Sequence, residues 1–371
     1  MKIGLVCPYD IFKNGGVQES VLALRAEYEY KGHEAYIITP RPKGIVADLE
    51  HQGILLVGQS RDIKSPFHTT AQIAVTFDNA AIDELLEKFK FDVIHYHEPW
   101  VPIISRQILI KSNAVNVGTF HAKLPDTVMS RTIEKGITPY TRSILKYIDV
   151  FTAVSSAASE YISTLTDDKI NIVPNGIDIK KFSGGKTKRN NKGILFIGRL
   201  EKRKGVKYLL DAFKVLQESD NEFNLTIAGD GPDRTKLEAY VHAQDISNVS
   251  FLGFIDEKTK IDLLHNTRIY CSPALYGESF GIVLLEAMAA GAVTVAGSNP
   301  GYSSVMVDKG TLSLVNVKDT QSFARKLKLL INDEDMRSLW LKWAEKYVQQ
   351  FNYENIASQY LNIYKQGIKN K

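Results

Sequence analysis

Short apolar runs alternate with helix-length amphipathic segments along most of the chain. Residues 3–7 read as a strand, the loop Asn14-Gly15-Gly16 follows, and a helical pattern runs from Val17 to Lys31, where Gly32 ends it. Apolar runs at 35–39, 93–97, 115–120, 150–154 and 170–173 repeat the strand signature with helix-length spacers. This alternation predicts a doubly wound parallel sheet.

From Asp178 to Gly193 the pattern stops. The stretch is rich in Lys, Gly, Ser, Asn and Thr and has no apolar periodicity, so it reads as a linker. The alternation then restarts: strand 194–197, helix 206–219, strands 225–228, 249–253 and 269–272, helix 282–290 and strand 293–296. A second Rossmann-like half is the simplest reading. The last hundred residues are mostly helical, with Trp340, Trp343, Tyr347, Phe351, Tyr353, Tyr360 and Tyr364 placed to pack as core.

Composition fits this picture and narrows it. A length of 371 residues exceeds what one core usually supports, and 44% hydrophobic with 24% charged residues is that of an ordinary globular protein. Cys7 and Cys271 each sit in an apolar strand run, as small buried side chains rather than as a disulfide framework. The apolar stretch before Pro8 is too short for a signal peptide, and no run approaches the ~20 apolar residues of a membrane span. The expected location is the cytoplasm, with at most transient contact at the inner face of the membrane, and no nucleic-acid partner is expected. Residues 1–178 hold 18 Lys/Arg against 21 Asp/Glu, whereas residues 179–371 hold 28 against 21. The positive second half suits a phosphorylated ligand.

The most informative motif is Tyr276-Gly277-Glu278-Ser279-Phe280-Gly281-Ile282-Val283-Leu284-Leu285-Glu286, with two carboxylates flanking a glycine that opens an apolar helix. A helix starting near Phe280 or Gly281 presents unpaired amides and the positive end of its dipole, an anion site for phosphates. Gly281 permits close approach, Glu286 can reach a ribose diol, and Glu278 can meet sugar hydroxyls. Next comes Gly198-Arg199-Leu200-Glu201-Lys202-Arg203-Lys204-Gly205, directly after a strand and before a helix. There Arg199 can chelate phosphate oxygens and Lys204 can add a point charge, stabilising a departing diphosphate.

In the first half the Gly15-Gly16 loop lies where backbone must approach a ligand, yet it lacks G-x-G-x-x-G, and Gly229-Asp230-Gly231 has Arg234 where that motif has its third glycine. Nicotinamide binding is disfavoured. His121 directly follows a strand and is expected to project into a crevice between the halves. His95 and His97 share a strand face, but no third metal ligand is evident nearby, so no metal site is assigned. Asp333-Glu334-Asp335 reads as helix capping.

Taken together, GGVQ at 15–18, His121, PNGID at 174–178, GRLEKRKG at 198–205, GDGP at 229–232 and the two glutamates at 278 and 286 resemble the retaining GT-B glycosyltransferases of the family 4 type, and most closely the phosphatidylinositol α-mannosyltransferase group. The resemblance spans nearly the whole chain. It implies an α/β GT-B fold, two Rossmann-like doubly wound domains facing across a deep cleft: 1–178 binding acceptor, 179–349 binding the nucleotide sugar, and a helix at 350–371 crossing back to the first domain.

It further implies roles. Arg199 and Lys204 would bind the donor diphosphate, Glu286 the ribose and Glu278 the donor sugar, with His121 near the anomeric centre and the 6-hydroxyl. Backbone near Ile255 and the Lys260 side chain would meet the base; Gly16 and the 279–283 turn (Ser279, Phe280, Gly281, Ile282, Val283) would face the phosphates; Tyr9 and Gln18 would line the acceptor side. The implied donor is GDP-mannose or another nucleoside-diphosphate sugar, the acceptor a lipid or glycan, with no metal cofactor. A UDP-sugar-dependent glucosyl- or N-acetylglucosaminyltransferase, a nucleotide-sugar 2-epimerase and a catalytically silent nucleotide-sugar binder are the alternatives. One departure bears on the membrane. Where lipid-acceptor members resemble one another in a basic amphipathic helix, residues 78–88 here carry Asp78, Asp83, Glu84 and Glu87, so weak contact is expected unless Lys123, Arg131 and Lys135 form a basic surface.

Overall fold

The computed structural model describes residues 1–42, 44, 48–64, 70–74, 79–123, 128–185 and 189–371, excluding the side chains of 59–64, 70–74, 128–135, 190 and 191. The chain forms two compact units, Met1–Gly176 with Tyr353–Lys371, and Ile177–Asn352.

In the first unit the order is β1 (Lys2–Val6), α1 (Gly16–Tyr30), β2 (Glu34–Arg41), β3 (Ile54–Lys64), β4 (Thr70–Ala74), α2 (Asn79–Phe89), β5 (Val93–His97), α3 (Ile104–Leu109), β6 (Val115–Phe120), α4 (Val128–Leu145), β7 (Val150–Ala153), α5 (Ser156–Ser163) and β8 (Ile170–Ile172). The sheet order is β4-β3-β2-β1-β5-β6-β7-β8. All neighbours run parallel except β4, which pairs antiparallel with β3 at the edge. The pattern of apolar positions did not pick out β3 or β4. Beyond residue 58 these strands turn polar, as in Gln59-Ser60-Arg61-Asp62, and an edge strand does not need two apolar faces.

In the second unit the elements are α6 (Ile179–Phe182), β9 (Asn190–Ile197), α7 (Val206–Gln217), β10 (Asn224–Ala228), α8 (Arg234–Ala243), β11 (Val249–Gly253), α9 (Glu257–Asn266), β12 (Thr267–Ser272), α10 (Ile282–Ala289), β13 (Val293–Gly297), α11 (Pro300–Ser303), β14 (Leu314–Val315), α12 (Thr320–Asn332) and α13 (Glu334–Val348). Its sheet, β11-β10-β9-β12-β13-β14, is parallel throughout. The second unit begins at Ile177 and so takes in the whole stretch read as a linker. Phe182 there is buried, and the Arg189 guanidinium donates to the carbonyls of Leu264, Thr267 and Ala290, so this polar stretch is anchored despite lacking apolar periodicity.

The final helix, α14 (Tyr353–Asn370), belongs to the core of the first unit. Ile356, Ala357, Tyr360, Leu361 and Tyr364 pack with Ile3, Leu5, Val21, Leu24 and Val117 in one apolar cluster. Its buried tyrosines also make polar contacts: Tyr364 Oη lies 3.0 Å from Tyr28 Oη and 2.7 Å from His95 Nδ1. Buried hydroxyls need such partners. In the second unit Trp340 is buried and donates to Ser313 Oγ, and Asp333 caps α13 by accepting from the Met336 amide.

Candidate active site

Parallel sheets bind ligands at the carboxyl ends of their strands, where the strand order reverses. In the second unit that point lies between β9 and β12. Three loops are tied together there by backbone hydrogen bonds: Gly198 N to Ala228 O at 3.0 Å, Leu200 N to Asp230 O at 2.9 Å and Leu275 N to Arg203 O at 2.8 Å. Gly205, at φ +71°, closes the 198–205 turn, and a β-carbon there would collide with the carbonyl of Pro273. Only glycine accepts that backbone cheaply.

The charged side chains of this turn converge on Glu278, whose side chain is 12% exposed. Its Oε1 accepts from Lys204 Nζ at 2.8 Å and from Arg203 Nη1 at 2.7 Å. Arg203 Nε also meets Glu201 at 2.7 Å, and Arg199, more exposed, lies 3.8 Å from Glu201. Three cations and two carboxylates thus sit together, and Arg203 is the member to which the sequence pattern gave no role. Its place among three basic residues in a row concealed it: Lys202, Arg203 and Lys204 differ in direction, not in type.

Helix α10 starts at Ile282, where the apolar run 282–290 places it, and Gly281 caps it at φ +107°. A β-carbon at Gly281 would press on the buried Tyr302 ring at 2.7 Å. Ser279, Phe280, Ile282 and Val283 surround this cap, with Phe280 buried against Phe351. Leu284 N donates to the capping Gly281 carbonyl at 2.9 Å, whereas the amides of Ile282 and Val283 precede any acceptor within the helix, so they and the dipole favour an anion. One turn further, Glu286 accepts from Lys260 Nζ at 3.0 Å, with the pair only 9% and 18% exposed. Lys260 also reaches Glu257 at 3.2 Å and lies over the Phe182 ring. Burial by itself would lower its pKa, but Glu286 and Glu257 outweigh that and raise it. Ile255 is half-buried in the loop that leads into α9, beside the exposed Phe254.

In the first unit the order reverses between β1 and β5. The loop after β1 carries Tyr9, whose carbonyl accepts from Thr39 Oγ1 at 2.7 Å. Gly16 is the first residue of α1, and Gln18 reaches back to the Asp10 carbonyl at 3.4 Å. His121 stands at the carboxyl end of β6, with its Nε2 2.9 Å from Nδ1 of His97 at the end of β5. Glu98, buried and at φ +53°, accepts the His121 backbone N–H at 2.7 Å and the Trp100 indole N–H on its other oxygen. Burial pushes the Glu98 carboxyl up to about 8, against the pull of the His121 and Ala122 amides. Burial lowers His121 to about 4, partly offset by the Asn175 side chain.

His95 spends both nitrogens on Tyr364 and on Thr119 Oγ1, the latter at 2.6 Å, and its ring lies tilted by 33° against His97 at 4.2 Å between centroids. Among the described residues no group of three or more His, Cys, Asp and Glu side chains is placed to hold a metal ion. No described helix is long and apolar enough to cross a membrane. Asn175, the second residue of PNGID, and His97 are functional candidates the sequence left without a role. Only the juxtaposition of β5, β6 and the 174–178 loop brings them to His121.

Two family profiles divide the chain: Glycosyltransferase Family 4 matches residues 14–181 and Glycosyl transferases group 1 matches residues 178–347. The phosphatidyl-myo-inositol mannosyltransferase of Mycolicibacterium smegmatis is 30% identical over 375 residues, spanning 98% of this chain and 93% of that protein. The chain belongs to glycosyltransferase family 4. This glycosyltransferase is also 27% identical to the phosphatidyl-myo-inositol mannosyltransferase of Propionibacterium freudenreichii over 390 residues, 100% of this chain and 99% of that one. At 24% identity, over 94% of this chain and 97% of that protein, it resembles the 2-deoxystreptamine N-acetyl-D-glucosaminyltransferase of Niallia circulans. Among solved structures, a glycosyltransferase of Rickettsia africae superposes with a TM-score of 0.77 at 20% identity, covering 100% of this chain and 99% of that one. Sucrose-phosphate synthase of Thermosynechococcus elongatus gives 0.76 at 20% identity over the whole of both chains. The fold is GT-B, as expected from the sequence.

Proposed function

We propose that this glycosyltransferase is a retaining mannosyltransferase that takes mannose from GDP-mannose to a lipid or glycan acceptor, phosphatidylinositol first among them. The observation that carries the donor half is the cluster of Arg199, Arg203 and Lys204 with Glu278 at the carboxyl end of β9. A nucleoside diphosphate leaving a sugar develops charge on its β-phosphate, and cations fixed beforehand stabilise that charge without reorganising. The acceptor half rests on the mannosyltransferase relatives.

In this reading Glu286 and Lys260 take the ribose and base, the α10 amides and the cationic turn take the diphosphate, and Glu278 takes the sugar. No second carboxylate is assigned as a nucleophile, so substitution proceeds on one face. The bond from C1 to the phosphate oxygen breaks, the acceptor oxygen bonds C1 on the same side, and the acceptor proton goes to the departing diphosphate. The configuration is retained.

A second reading, N-acetylglucosaminyl transfer from a UDP sugar, is favoured by the Niallia circulans relative and by a structural neighbour, HepE of Anabaena, solved with UDP. Thermal-shift and turnover measurements with GDP-mannose, UDP-glucose and UDP-N-acetylglucosamine separate the two, because a ligand bound only by the native state raises its midpoint. GDP-mannose turnover giving an α-mannosyl product with phosphatidylinositol is the expected result. Turnover of UDP sugars alone would reject mannose, and conversion of the donor without acceptor would point to an epimerase.

A further inference from the structure

His121, partly exposed, and the buried His97 form a pair whose protons can be assigned. His97 is fully buried, its Nδ1 faces His121 Nε2 at 2.9 Å, and its own Nε2 is buried with no hydrogen-bond partner among the described residues. Burial lowers the pKa of both rings, His97 well below the usual value and His121 to about 4, so both are neutral near pH 7 and one proton lies between them.

Two arrangements satisfy that count. If His121 donates, the His97 proton sits on Nε2 as a buried N–H without an acceptor, and orphaned donors of that kind are rare and costly. If His97 donates from Nδ1, its Nε2 is a bare lone pair, no donor is orphaned, and the His121 proton falls on Nδ1. The Asn175 side chain, which raises the His121 pKa against the effect of burial, carries an amide oxygen that can accept from Nδ1–H, as the second arrangement allows. Glu98 holds the backbone of the same residue through its amide, which fixes where the ring starts.

We propose that His97, with Asn175, is a positioning residue that locks His121 as its Nδ1–H tautomer, with Nε2 held by His97 and Nδ1 by Asn175, so that the ring is fixed beside the transferred sugar and cannot act as a base. This rests on the reading of His121 as a donor-sugar contact. It also fits the proton balance above, in which the departing diphosphate takes the acceptor proton. A ring whose Nε2 already accepts from His97 has no free lone pair to take it.

The test combines proton placement with kinetics on the full chain. Long-range ¹H–¹⁵N correlation of histidine-labelled protein at pH 7 should show His121 protonated at Nδ1 and bare at Nε2, and protonation at Nε2 would overturn the proposal. Asparagine places an N–H where His97 has Nδ1, whereas glutamine places it near Nε2. His97→Asn is therefore expected to keep kcat with GDP-mannose within about threefold, and His97→Gln to lose about 10²-fold in kcat with little change in KM. Equal kcat in the two variants, each with a cooperative melting transition, would show that His97 only packs. Failure of wild-type protein to turn over GDP-mannose would count against the proposed donor and leave the NMR result to decide the tautomer.

Discussion

Lys204 Nζ lies 2.8 Å from Glu278 Oε1, so a cation expected to hold phosphate and a carboxylate expected to hold sugar neutralise each other without ligand. A diphosphate arriving at Lys204 competes with Glu278. Glu278→Gln removes that competitor, and GDP affinity measured by calorimetry is expected to stay level or rise while kcat falls by about 10² or more. Lys204→Ala should lower both. Loss of GDP affinity in Glu278→Gln would mean the carboxylate organises the phosphate site itself.

The second carboxylate is held differently. Glu286 and Lys260 meet at 3.0 Å while nearly buried, and removing one partner leaves the other without its counter-charge. Glu286→Ala is therefore expected to weaken GDP binding by about tenfold and to destabilise the fold by roughly 1–3 kcal/mol. The double variant Glu286→Ala, Lys260→Ala should recover part of the stability, which chemical denaturation measures. Full additivity would show that the pair is not coupled.

Chelation tests the electrostatics of the cationic turn. With Arg199, Arg203 and Lys204 grouped at one strand end, turnover in EDTA is expected to equal turnover in magnesium within about twofold. Loss of activity in EDTA, restored by manganese, would mean a metal shares the diphosphate.

Acid should unfold the first unit early. Burial lowers His95 from 6.5 to about 3 and His121 from 6.5 to about 4, with His97 lowered as well. Because the folded state keeps these rings neutral, their contribution is complete above pH 6.5 and is lost as pH falls toward 4. Each imidazole contributes a slope approaching about 1.4 kcal/mol per pH unit in that window. Glu98, raised from 4.5 to about 8, has the opposite sign: its contribution is complete below 4.5 and is lost as pH rises through 8. Melting midpoints should therefore drop steeply from pH 6.5 to 4, and a flat profile there would refute the buried neutral rings.

Binding to anionic membranes should be weak. On α2, Asp83, Glu84 and Glu87 are exposed, Asp83 pairing with Lys111 and the neighbouring Lys88 with Glu50. Asp78, which the sequence reading placed on this helix, lies outside the described residues. Lys123 is not free to build a basic surface, since it is 6% exposed and paired with Glu160 at 2.9 Å; the side chains of Arg131 and Lys135 lie outside the described residues. Each basic residue near an anionic surface contributes about 1 kcal/mol, so the protein should stay mainly in the supernatant when spun with anionic liposomes at physiological salt. Salt-sensitive cosedimentation would contradict this.

By itself the sequence determined what is local. Strands such as Val93–His97 and Val115–Phe120 were legible because apolar runs bounded by polar turns leave few alternatives, and Gly281 and Gly205 marked turns that side chains forbid. The two parallel sheets followed from that alternation. Tertiary structure alone decided the contacts between residues distant in the chain: Arg203 with Glu278, Lys260 with Glu286, and His121 with His97 and with Asn175. It also decided that Arg189, inside an apparent linker, is an anchor, and that β3 and β4 extend the sheet through polar residues. Periodicity records which face of an element avoids water, whereas a hydrogen bond between side chains depends on position and direction, which only the packed chain supplies.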